Sequence, residues 1–240
     1  MTNHSKAKTL KKYSVMMPAT LLVGVVGLTS GYVPGVSAGR ALASDASMMT
    51  EPMHAEHKKK SQAAMDLRVG MNNLLREHVS TSLDVTRGLA DQAPQAQIDG
   101  AMAAQYANAD ALAAAVGSVY GGAAQAQFSE LFKEHITESN AYAQAVGNGD
   151  PVAKEAARVE LQEYLTEIAA FFSGAIPGLQ AQDVYGMLNE HEELINKSTE
   201  AYKAGDFVAS YQLEREALKQ ISMAADALSS GIIATQPDKF

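Results

Sequence analysis

From about Ala63 to the C-terminus, apolar residues recur at intervals of three and four, Ala is abundant, and β-branched runs are missing. That period gathers apolar positions onto one stripe of a helix, whereas a strand would alternate them every second residue. Gly, Pro and Asp interrupt the pattern, and residues of this kind end one helix and start the next. The pattern predicts six amphipathic helices over about 63–89, 96–117, 123–147, 151–174, 180–203 and 207–230. Asp150 stands as an N-cap before Pro151, a residue suited to a first helical position, and Asp206 is the matching cap of the last helix. Short links imply antiparallel neighbours. The expected fold class is all-α, a bundle of six antiparallel helices.

The punctuation also carries an internal repeat. A shift of 56 positions lays Gly122 on Gly178, Glu134-His135 on Glu190-His191, Gly149-Asp150 on Gly205-Asp206, and Val152-Ala153 on Val208-Ala209. A fainter copy precedes these at a shift of 57, with Leu74, Glu77 and His78 on Leu131, Glu134 and His135, and Pro94 on Pro151. The helices thus read as three repeated helical hairpins. Such units stack because one hairpin alone cannot bury its apolar face.

The N-terminal segment has a different pattern. Lys6, Lys8, Lys11 and Lys12 precede the apolar run Ala19–Leu28, and Ala41-Leu42-Ala43 or Val36-Ser37-Ala38 offers a small-x-small cleavage site. This is the layout of a secretory leader. The apolar run is shorter than the roughly 20 residues of a spanning helix. Residues 1–43 therefore read as a signal peptide, 44–62 as a flexible linker rich in Met, His and Lys, and 63–240 as the helical-repeat bundle domain. The expected location is secreted or extracytoplasmic, in a cell-wall or periplasmic space, with no membrane span once the leader is cleaved. An uncleaved N-terminal anchor is the alternative.

Composition narrows the function. The 240 residues include 27 Asp plus Glu against 19 Lys plus Arg, a net charge of −8. Loss of the basic leader makes the mature chain more acidic still, which disfavours nucleic acid as a partner. The absence of Cys excludes disulfides, zinc-thiolate sites, iron–sulfur clusters and a cysteine nucleophile. No Gly-x-Ser-x-Gly elbow or phosphate-binding glycine loop is present.

The repeated Glu-His step is the sharpest chemical signal. His78 follows Leu74 and Leu75, His135 follows Leu131 and Phe132, and His191 follows Met187 and Leu188, each at helical spacing. Every histidine thus lies on the apolar stripe of its helix, with its Glu neighbour turned toward the edge. A closed bundle would bring the three together, and Asp110 and Glu167 from the even-numbered helices are the expected carboxylate partners. Imidazole with carboxylate suits zinc, iron or copper. In an open stack the histidines would instead stand about 10 Å apart per helix step and could not share an ion. Met49, Met53, His54 and His57 form a secondary candidate for copper. The acids Glu134, Glu138, Glu190, Glu192 and Glu193 read as solvated faces.

The Glu-His steps, the Gly-Asp turns and the ending Met223–Ile232 resemble a group of small exported all-helical bacterial proteins without an assigned activity. The resemblance covers about residues 70–240 and implies a helical fold. Hemerythrin-like and ferritin-like bundles are similar in architecture, but the Glu-x-x-His spacing of di-iron bundles is missing here. The leading expectation is a non-enzymatic exported bundle that binds a transition metal through core-facing histidines. The alternative is an envelope interaction or structural module with a protein partner, its histidines forming a buried polar layer. A metal-dependent oxidase ranks last.

Overall fold

The computed structural model describes residues 51–240. They form six helices: α1 (Glu51–Ala90), α2 (Gln95–Tyr120), α3 (Gly122–Asn148), α4 (Pro151–Ala175), α5 (Ala181–Lys203) and α6 (Phe207–Thr235). No strand occurs among the described residues, so the chain is an all-α bundle. The leader, its cleavage motifs and Met49 lie outside the described residues.

Five helices begin within a few residues of the positions that apolar spacing predicts. The exception is α1, which starts at Glu51, inside the stretch read as a linker. Polar composition is what misled that reading. Residues 51–62 contain Ala, Glu, Lys and Gln, which are good helix formers, and their one Pro sits in the first turn, where its missing N–H costs nothing. Lys60 lies 3.6 Å from Glu56 one turn back, and the Gln62 amide donates to Asp66 Oδ1 at 2.7 Å. The side chains of Glu56, Lys58, Lys59, Ser61 and Gln62 are exposed.

Caps set the ends. Asp150 Oδ1 accepts hydrogen bonds from the amides of Val152 and Ala153 at 3.0 Å each, and Pro151 follows it. Asp206 Oδ1 accepts from Ala209 N at 3.0 Å. Before each cap stands a glycine in the left-handed region, Gly149 at φ 66° and Gly205 at φ 78°. The following amide then bonds back to a carbonyl of the last turn, Asp150 to Ala145 and Asp206 to Ala201, both at 2.9 Å.

Each helix packs on the next, and α6 packs back on α1, so the series closes. Helices α1, α3 and α5 also touch one another. They form an inner trio, and α2, α4 and α6 each fill a groove between two of its members. The trio approaches closely enough that α3 has no room for a side chain at Gly147, where a Cβ would meet the Leu89 carbonyl oxygen of α1 at 2.6 Å. The core is aliphatic and aromatic, with Leu83, Ile136, Leu161, Leu165, Ile168 and Ile221 essentially sealed from solvent. Each such side chain contributes about 1.5–3 kcal/mol by leaving water. Among the described residues no helix is long and apolar enough to cross a membrane.

Candidate functional site

Each helix of the inner trio delivers one histidine. His78 sits on the buried stripe of α1 among Met71, Leu75, Val79 and Ser82. His135 sits on α3 among Leu131, Phe132, Ile136 and Ser139, and His191 on α5 between Val184 and Ile195. All three are almost fully enclosed, between 2% and 4% exposed. The His78 ring centre lies 5.5 Å from that of His135 and 5.8 Å from that of His191. The three meet around a small cavity of about 40 Å³, whose walls include Phe128, Phe132, Tyr164 and Ile221. Space of that size admits a water or an ion and little else.

The carboxyl group at this centre is Glu192, 4% exposed. Its Oε1 lies 3.5 Å from His135 Nε2. Glu192 is thus interior, and not on the solvated face that its residue type suggests. Glu192 follows Leu188 by four and precedes Ile195 by three, so it lies on the buried stripe of α5. The repeat carried a legible signal, because the same register holds Val79 and Ile136, both wholly buried.

The expected partners from the even helices are elsewhere. Asp110 is exposed and pairs with Lys133 Nζ at 2.7 Å. Glu167 is also exposed. A carboxylate does best in water or beside a cation, and both positions fall on the outer faces of α2 and α4. What α4 brings inward is Tyr164, whose ring stacks on His135 with centres 4.6 Å apart. Of the secondary set, Met53, His54 and His57 fall on the first turns of α1.

Burial sets the charge state. Desolvation lowers His135 to about 3 and His191 to about 4, with the neighbouring His191 adding to the shift at His135. His78 is lowered well below its ordinary value, first by desolvation and then by the other two rings. Desolvation, helped by Glu193, raises Glu192 to about 8. The His135–Glu192 contact has the spacing of an ion pair. Enclosure nevertheless leaves both groups neutral near pH 7, with the proton on the carboxyl, because separated charge in this cavity would cost more than their contact returns.

Hydrogen bonding at the centre is incomplete. His78 Nδ1 lies 3.4 Å from Ser82 Oγ, which accepts from Gln105 Nε2 at 3.3 Å. By contrast, His135 Nδ1, His191 Nδ1 and Glu192 Oε2 are buried without a hydrogen-bond partner. Each such group costs about 1–3 kcal/mol in desolvation. As the side chains stand, no group of three or more His, Asp or Glu among the described residues is aimed at a single ion.

No family model, curated protein or solved structure matches the chain. The geometry of the centre therefore carries the functional reading.

Proposed function

We propose that this protein is an exported helical bundle that holds one transition-metal ion among His78, His135 and His191, with Glu192 as the fourth ligand. The observation that carries the reading is the convergence of three neutral imidazoles and one carboxyl on an enclosed cavity, with three of their polar atoms unpartnered. An imidazole bound at about 2.1 Å has its ring centre about 3.2 Å from the ion, so two rings sharing it tetrahedrally stand about 5.2 Å apart. The 5.5 and 5.8 Å separations are close to that value. Small rotations of the rings would bring nitrogen atoms to bear, and the free Nδ1 atoms of His135 and His191 have no hydrogen bond to lose. Neutral imidazole is the ligating form, and a cation would draw the proton off Glu192.

The same reading treats the fold as three antiparallel hairpins of one design. It is supported by the matching turns at Gly149 and Gly205 and by the histidine that each inner helix supplies at one level. The basic, then apolar, then small-residue leader supports an extracytoplasmic location, where zinc, copper and iron are all encountered. The envelope interaction module is the second reading. It is favoured by exposed apolar side chains at the starts of α4 and α6, with Val152 78% and Val208 72% exposed.

Elemental analysis of mature protein, purified from its exporting host without tag or chelator, tests the proposal. The expected result is one zinc, copper or iron per chain, lost in His135→Ala and in Glu192→Ala. Protein that stays metal-free after incubation with salts of all three would overturn it and leave the interaction module.

A further inference from the structure

A second site lies between α2 and α3, beneath the turn that joins α1 to α2. It is a cleft of about 520 Å³, well within the range of small-molecule sites. The chain is 19% charged, yet among the described residues lining this cleft none carries a charge. Its polar lining is amide apart from Thr137, including Gln92, Asn140, Gln144 and Asn148, above a floor with Met102 and the ring of Tyr106.

Two observations mark the cleft as built to bind. The first is Asn140, only 8% exposed. Its Nδ2 donates to Gln105 Oε1 at 3.2 Å, and that bond fixes the amide with Oδ1 buried and unpartnered. The buried bond to Gln105 holds Asn140 in place, so this part of the cleft wall is pre-formed. The second is Gln92, whose φ of 55° makes it the one non-glycine residue in the left-handed region among the described residues. The repeat places Gln92 in register with Gly149 and Gly205, and its turn has the same bonding, Ala93 N to the Gly88 carbonyl at 2.9 Å. Glycine adopts that conformation freely, whereas a side chain there is strained. The strained residue lines the cleft, and its Nε2 donates to Asn148 Oδ1 at 3.2 Å and to the Gly147 carbonyl at 3.4 Å.

We propose that this cleft binds an uncharged, multiply hydroxylated ligand, a saccharide. Each amide offers a donor beside an acceptor, the arrangement that neighbouring hydroxyls of a sugar match. The Tyr106 ring and the Met102 floor suit the apolar face of a sugar ring. A charged ligand would lose hydration with no counter-charge to receive it. The inference stands apart from the metal reading, since it uses none of the histidines.

Isotope-labelled mature protein titrated with D-glucose, cellobiose and N-acetylglucosamine, with D-glucuronate as the charged counterpart, provides the test. At least one neutral sugar should shift the side-chain amide signals of Asn140 and Gln144 saturably, and glucuronate should bind at least about tenfold more weakly. Gln144→Ala, at an exposed position, should weaken binding with Tm unchanged. Gln92→Gly should weaken binding while Tm holds or rises, which loss of a merely structural residue would not do. Absence of a saturable shift with all three sugars, equal binding of glucuronate, or unchanged affinity in both variants would overturn the proposal.

Discussion

Two polar layers cross the inner helices of this bundle, and they are satisfied very differently. The upper layer holds His78, His135, His191 and Glu192. The lower layer lies eight residues further along, about 12 Å on a helix, and holds Thr86 and Thr199, with Ala143 at the corresponding place on α3. In the lower layer Thr199 Oγ1 lies 3.0 Å from both Thr86 Oγ1 and the Ile195 carbonyl, and Ser198 Oγ donates to the Ser210 carbonyl at 3.0 Å. Arg87 donates to the hydroxyls of Ser198 and Ser210, pairs with Glu214 at 2.9 Å, and lies over the rings of Tyr202 and Tyr211. Within this network, Arg87 Nε and Glu214 Oε2 are buried without a hydrogen bond, although the two side chains form an ion pair. Thus the lower layer ties α1, α5 and α6 together through hydroxyl bonds and an ion pair, with two buried atoms open, whereas the upper layer leaves three open and has no such bonds between its helices at His191 or Glu192 Oε2. A network bonded across three helices holds them in register. An open one of the same size, made of metal-ligating groups, weakens the fold unless something fills it.

The largest expected contrast comes from replacing one residue in each layer by an apolar one of similar size. Arg87→Met should destabilise metal-free protein by about 2–4 kcal/mol, because it strands Glu214 and uncouples α1 from α5 and α6. Glu192→Ile should cost nothing or stabilise by about 1–2 kcal/mol, because it removes an unpartnered carboxyl from a register that Val79 and Ile136 already fill. Urea unfolding midpoints decide the matter. Comparable losses in both variants would mean that the histidine layer is as structural as the lower one.

Acid should act mainly through the upper layer. His135 and His191 are neutral when folded down to about 4 and below, but take up protons near 6.5 when unfolded. Their contribution is therefore complete above about pH 6.5 and is lost as pH falls toward their folded values. Glu192 runs the other way, since its raised value makes its contribution complete below about 4.5 and lost as pH rises through about 8. Between about pH 7 and 5 the two histidines outweigh the one carboxyl, His78 adds to their side, and a net loss on the order of 1–3 kcal/mol is expected. Denaturant midpoints across that window should fall with acid in the parent and fall more steeply in Glu192→Ile, which lacks the opposing group. A flat profile would show that the histidines are hydrated or already charged.

Much of this was legible in the sequence, for reasons that differ by residue. The three histidines were visible because they lie on apolar stripes and recur with the repeat. The caps Asp150 and Asp206 were visible because capping chemistry is local. Glu192 is hidden by its residue type, which suggests a solvated face, although Val79 and Ile136 mark its register as interior. The early start of α1 was missed because a polar surface helix lacks the apolar period that announces a packed one. Asp110 and Glu167 were assigned inward by helix alone. Whether a carboxylate on a given turn faces the trio depends on how α2 and α4 are rotated in their grooves, which spacing along one chain does not fix.

The smallest expected effect is the most exacting for the lower layer. Thr199→Val removes a hydroxyl that bonds both Thr86 and the Ile195 carbonyl, and should cost about 1 kcal/mol. Thr86→Val should cost a similar amount by leaving Thr199 with one partner fewer. If the pair serves only to bond one to the other, the double variant should cost less than the sum of the singles, by about 0.5–1 kcal/mol. Ala143 already shows that this level accepts an apolar side chain on α3, where it is wholly buried. The cycle, read from unfolding free energies with metal content measured in parallel, should show that coupling and no change in bound metal. A strictly additive cycle would mean that the two hydroxyls are held by their own helices. A loss of metal in the double variant would mean that the two layers act as one site, and the contrast between them would dissolve.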